Sequence, residues 1–92
     1  AEVKQFSAQF GNMLSKGQSL IQSLAASAQS QQNEYLKTVI GQVQKDVGGG
    51  NPLSASMAKH PDVFNQEYVA AIRSGEQKGN VDQVLLRLAQ NK

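Results

Sequence analysis

Residues 68–89, YVAAIRSGEQKGNVDQVLLRLA, hold two amphipathic segments joined by a turn. Val69, Ala70, Ala71 and Ile72 mark the first; Val81, Val84, Leu85 and Leu88 recur at helical period in the second. Gly79 suits the end of the first helix, where the chain often needs positive φ. Asn80 is placed to cap the second helix by accepting from its free N–H groups, and Gln83 three residues later completes a capping-box pattern. Two helices with a tight link and no strand pattern set the expectation for the rest of the chain, which is all-α.

Glu76 breaks the pattern. At about 100° per residue it falls between Ile72 and Val69 on the apolar stripe, beside Gly75. A carboxylate there costs several kcal/mol unless it is paired or accepts good hydrogen bonds. Three partners are chemically open: the N–H groups opening a neighbouring helix, a basic side chain such as Arg73 or Arg87, or a divalent cation such as calcium shared with Asp82. Helix-terminus electrostatics favours the first. A hard cation needs about six oxygens, more than two carboxylates supply, and no cofactor is otherwise required.

The composition narrows the classes. A chain of 92 residues makes one domain, residues 1–92, because it buries only about 60–65% of its unfolded surface and cannot divide that core. The aromatic residues are Phe6, Phe10, Phe64, Tyr35 and Tyr68, so the core rests on Leu, Val, Ile and Ala. The net charge of +2 comes from nine basic residues with no two adjacent. That scatter lacks the stripe of cations that nucleic acid requires. No cysteine is present, which excludes disulfides and thiolate metal sites. No apolar run is long enough to span a bilayer, and no signal peptide is visible. The opening on Ala1 rather than methionine suggests a fragment of a longer protein.

Along the chain, Val3, Phe6, Phe10, Met13 and Leu14 predict a first helix from about Glu2 to Lys16, ended by Gly17. Gly11 inside it costs about 1 kcal/mol relative to alanine, and close approach of a neighbouring helix is the expected reason. A second helix over 18–29 spreads Leu20, Ile21, Leu24, Ala25 and Ala28 across a wide face, which implies contact on two sides. Residues 27–32, SAQSQQ, read as a polar surface connection, with Asn33 capping the third helix. There Leu36, Val39, Ile40, Val43 and Val47 fall within a narrow inward arc. Gly48, Gly49 and Gly50 end it, and Pro52 suits the first position of a short fourth helix that holds Leu53, Met57 and Ala58. No lysine follows the glycines where a phosphate loop needs one. His60-Pro61 stops the fourth helix, Val63 and Phe64 turn inward, and Asn65 caps the fifth with Glu67 in its first turn. His60 has no nucleophile or orienting acid suggested nearby, so it reads as a turn residue rather than a general base. Gly17-Gln18-Ser19-Leu20 and Gly50-Asn51-Pro52-Leu53 recur 33 residues apart. That spacing belongs to helical solenoids, but no solenoid residue pattern accompanies it, and shared helix-start chemistry explains it. The whole reads as a single six-helix antiparallel bundle.

The ordered series G-E-x-x-G-x-V-D-x-V-L-x-x-L-A from Gly75 to Ala89, preceded by H-P-x-V-F-x-x-x-Y from His60 to Tyr68, resembles the cytoplasmic domain of the type II secretion system F family. Phe6, Leu14, Gly17, Leu20, Leu24, Asn33, Leu36, Val43, Gly50, Leu53, Ser54 and Met57 fit the same pattern. Ser19 stands where the family often has proline, and Pro52 where it often has a small polar residue. The resemblance implies the cytoplasmic domain, more like the first of two copies, of a bacterial inner-membrane platform protein of type II secretion or type IV pilus machines. It implies a non-enzymatic scaffold that links the cytoplasmic assembly ATPase, and other platform subunits, to polymerisation of pilin-like subunits. Membrane attachment would run only through transmembrane helices outside this chain. The alternative is a stand-alone helical-repeat adaptor, and an enzyme would need chemistry from Glu76, Asp82 and His60 together.

Leu86 lies about 100° round the last helix from Leu85, outside the stripe and near Ala89 and Asp82. An apolar spot beside an acidic residue suits half of a symmetric interface. A homodimer through the fifth and sixth helices, with Leu86, Asp82, Ala89 and Glu76 at the contact, is therefore expected, unless Leu86 is covered within the monomer.

Overall fold

A computed structural model describes residues 2–90, and among them all regular structure is helical. The six helices are α1 (Glu2–Ser15), α2 (Leu20–Gln29), α3 (Glu34–Gly48), α4 (Leu53–Ala58), α5 (Gln66–Lys78) and α6 (Val81–Gln90). The all-α class and the number of helices agree with the sequence reading.

Three of these helices begin on a side chain of their own. Ser19 accepts from Gln22 N–H at 3.1 Å, Asn33 from Leu36 N–H at 3.1 Å and Asn65 from Tyr68 N–H at 2.8 Å. Each removes one of the orphan donors at a helix start. Asn80 does not: its Oδ1 is buried with no hydrogen-bond partner, so the expected capping box with Gln83 is not formed. Pro52 occupies the cap position of α4 rather than its first turn, and it has no side-chain acceptor to offer.

The helix ends share one device. Gly17, Gly50 and Gly79 are the glycines with positive φ, at 90°, 103° and 74°. Next to each, a six-to-one backbone bond closes the turn: Gln18 N–H to Met13 O (3.2 Å), Asn51 N–H to Asp46 O (3.1 Å) and Asn80 N–H to Gly75 O (2.9 Å). This is the Schellman arrangement, which needs a residue without a Cβ at the left-handed position. The recurrence at 33 residues is thus a shared turn, in which glycine is followed three residues later by the leucine that opens the next helix.

Each helix packs on the next, and α6 returns to α1 in the most extensive contact of all. A solenoid, whose units touch only their neighbours in sequence, has no such closing contact. One continuous core results, built on Phe6, Phe10, Leu24, Ile40, Met57, Phe64, Ile72 and Leu85, with Phe6, Phe10, Phe64 and Tyr68 in a chain of ring contacts. The radius of gyration, 11.6 Å, is close to the ~12 Å of a compact chain of this length.

The α3 stripe is as read, with Leu36, Val39, Ile40 and Val43 buried and Val47 packed against them. On α2 the reading needs correction. Ser23, Leu24, Ser27 and Ala28 are buried, whereas Ile21 is only half-buried; the helix ends at Gln29 as read, so of residues 27–32 only 30–32 form the connection. Small side chains let α2 lie close to both α1 and α3. Ala58 is exposed, while Phe64 is buried and Val63 half-buried beside it.

Candidate functional site

Glu76 sits in the last turns of α5, where Ile72 and Gly75 are buried. A Cβ on Gly75 would lie 3.1 Å from Val81 Cα and 3.1 Å from Val84 Cγ2, so α5 and α6 meet backbone to backbone. That contact fixes the direction in which Glu76 leaves the helix. Its Oε2 accepts from Ser54 N–H at 2.9 Å, and its Oε1 accepts from the Ser54 hydroxyl at 2.6 Å. Ser54 is the second residue of α4, the short helix whose own cap, Pro52, makes no side-chain cap hydrogen bond. The carboxylate supplies the missing acceptor and places negative charge at the positive end of α4. Of the three partners open to Glu76 in the sequence, the N–H groups of a neighbouring helix are the ones it holds.

Asp82 lies in the first turn of α6 and accepts from the Ser15 hydroxyl of α1 at 3.3 Å. Each of the two acids therefore has a donor of its own. Among the described residues no group of three or more His, Cys, Asp or Glu side chains gathers that would hold a metal ion. The ion pair among the described residues is Lys59 with Asp46, at 3.1 Å, which ties the end of α4 to α3. His60 lies in the turn after α4, where its carbonyl accepts from Val63 and Phe64 N–H.

The α1–α6 contact explains Gly11. A Cβ there would meet Leu85 Cβ at 3.1 Å, the Asp82 carbonyl at 3.2 Å and Leu86 Cδ2 at 3.2 Å. The missing side chain lets α6 sit directly on α1, as the sequence predicts for a glycine inside a helix. Leu86 is half-buried with one methyl over Gly11, and Ala89 on the next turn is half-buried as well.

Two polar contacts had no local signal in the sequence. Tyr68 and Ser7 join at 2.6 Å in the core, across 61 positions of sequence. Ser7 gives its own proton to the Val3 carbonyl at 2.8 Å, so Tyr68 is the donor to Ser7. Burial pushes the Tyr68 phenol up to about 12, against a downward pull from Ser7. At the surface Tyr35 donates to Asp62; this bond raises the phenol and lowers the carboxyl.

A closed ring of six short helices, in which the carboxylate of one caps another, defines a small all-helical domain. The chain belongs to the family described as type II secretion system (T2SS), protein F, whose sequence profile matches residues 6–92. It is 38% identical over 84 residues to the type IV pilus assembly protein PilC of Thermus thermophilus, a match covering 91% of this chain and 20% of that protein. With the type IV pilus assembly protein TapC of Aeromonas hydrophila it shares 35% over 83 residues, 90% of this chain and 20% of the relative. With the type II secretion system protein F of Xanthomonas campestris it shares 29% over 89 residues, 97% of this chain and 22% of the relative. The chain thus spans about a fifth of the length of these relatives. The family read from the Gly75 to Ala89 series is confirmed. No helix among the described residues is long and apolar enough to cross a membrane.

Proposed function

We propose that this domain is a non-enzymatic scaffold of an inner-membrane platform protein. In that role it stands on the cytoplasmic side and links the assembly ATPase to polymerisation of pilin or pseudopilin subunits. The observation that carries the reading is the family match over residues 6–92, with relatives named for type IV pilus assembly and for type II secretion. The chemistry is consistent with it. Glu76 and Asp82 each accept from a serine of another helix, and the His60 carbonyl holds the turn after α4, as an architectural part requires. The short links make the six helices an antiparallel bundle in this reading, and a second copy pairs with it through α5 and α6 around Leu86. The helical-repeat adaptor is not favoured, because α6 closes on α1 and leaves no open end to extend.

The test is an in-frame deletion of residues 6–92 from the full-length protein in the organism that makes it. Filament assembly or secretion is expected to stop, while the purified ATPase keeps its hydrolysis rate. Continued assembly without the domain discards the scaffold role.

A further inference from the structure

A groove of about 430 Å³ runs between the end of α4 and the outer face of α5. That volume lies within the roughly 300–1,000 Å³ of sites that take ligand groups. Phe64 and Val69 supply its apolar floor, both nearly buried, and exposed Ala58 and Ala70 keep its walls low. On α5 it extends from Gln66 to Arg73, eight residues or about 10 Å of helix.

Arg73 is exposed at this groove and makes no ion pair among the described residues. A carboxylate three or four positions away on the same helix would normally answer it. The acid at that spacing is Glu76, and both of its oxygens are taken by Ser54. The intrachain partner of Arg73 has thus been spent on capping α4, which leaves a guanidinium beside an apolar floor.

We propose that this groove docks an acidic amphipathic helix of a partner protein. Its apolar side chain rests on Phe64 and Val69, and an Asp or Glu one turn away pairs with Arg73. Val69 and Arg73 stand four residues apart on α5, about one turn, which matches that spacing, since residues three or four apart share a helix face. The low alanine walls allow a second helix to come close. The inference rests on the platform reading only for the presence of neighbouring proteins; the chemistry of the groove stands apart from it.

The experiment places photoreactive p-benzoyl-phenylalanine at Ala70 of the full-length protein in its own cells, with the same group at exposed Thr38 as background. The crosslinked peptide is then sequenced by mass spectrometry. The expected adduct is with a different protein, on a segment carrying Asp or Glu three or four residues from Leu, Ile, Val or Phe. Its yield should fall about tenfold on Arg73→Glu and recover in Arg73→Lys, which keeps the charge. An adduct with a second copy, with lipid, or with no protein above the Thr38 background overturns the proposal, as does a yield indifferent to Arg73→Glu. Normal filament assembly with no adduct at Ala70 removes the groove and leaves the scaffold reading standing. Failure of the deletion test removes the scaffold reading by itself.

Discussion

Glu76 holds both the N–H and the hydroxyl of Ser54, at 2.9 and 2.6 Å, so the fourth helix is capped by the fifth. The comparison with Ser19 shows why. Ser19 and Pro52 have nearly the same backbone, φ −68° and ψ 157° against φ −62° and ψ 150°. Ser19 caps α2 with its own oxygen, whereas proline has none. The carboxylate that looks misplaced on the apolar stripe of α5 is the acceptor that α4 lacks.

Replacing Glu76 by Gln removes the charge and leaves one acceptor oxygen for two donors. Hydrogen bonds to charged groups contribute about 1.5–3 kcal/mol each, and this one is only partly buried. The expected loss is about 1–3 kcal/mol, with the melting temperature falling by roughly 4–8 °C per kcal/mol. Ser54→Ala should add little once Glu76 is gone, because the two act as one unit. Urea titration of the four proteins of the cycle checks this; additive losses would show that Glu76 and Ser54 are not coupled.

Gly11 and Gly41 both lie inside continuous helices, yet their substitution by alanine is expected to have opposite signs. At Gly11 the new methyl meets Leu85 Cβ and the Asp82 carbonyl at 3.1 and 3.2 Å, neither of which is a flexible tip. Overpacking of this kind costs about 1–3 kcal/mol. At Gly41 nothing lies within 4 Å, so alanine brings only its helix preference and a gain of about 0.4–1 kcal/mol. Thermal melts of the two variants decide; a stabilised Gly11→Ala would mean that α6 does not sit on α1 as closely as described.

Tyr68 makes the fold sensitive to alkali. Its phenol is raised by burial to about 12, whereas a tyrosine in the unfolded chain ionises near 10. The native state therefore keeps the proton longer. The stability this contributes is fully present below about pH 10 and is lost as pH rises from there towards 12. Tyr68→Phe is expected to cost about 0.5–1.5 kcal/mol at neutral pH, through the lost bond to Ser7, and to lose stability less steeply above pH 10. Urea midpoints at pH 7 and at pH 10.5 give both numbers, and an unchanged alkaline slope would rule out Tyr68 as its origin.

What the sequence could convey depended on how local each cause is. The α3 arc was legible because one side of that helix meets the core and the other meets water. On α2, Ser23 and Ser27 are buried and Ile21 half-exposed; here close approach, not hydropathy, selects the side chain, and periodicity misses it. Asn80 looks like a cap, but its N–H closes the turn of α5 onto Gly75 and its Oδ1 is left unpartnered. For Glu76 the kind of partner followed from charge and helix termini. The identity of Ser54, 22 positions earlier, did not, and the pairing of Ser7 with Tyr68 left no local mark.

The self-association proposed around Leu86 can be read from solution mass. Leu86→Asp places a charge beside Asp82 at the edge of the α1–α6 contact, so a dimer through this face should become a monomer with its helical circular dichroism intact. Because one Leu86 methyl also covers Gly11, Leu86→Ala serves as the control: it gives up that packing without adding charge, and a folded monomer in both variants would mark Leu86 as an apolar contact in the dimer. Calcium is expected to leave the mass unchanged, since Ser54 already occupies both oxygens of Glu76. Light scattering with and without calcium, on wild type and Glu76→Gln, separates the outcomes. A dimer that forms only with calcium and disappears in Glu76→Gln would make that carboxylate a cation ligand, and Ser54 would then have to release it on binding.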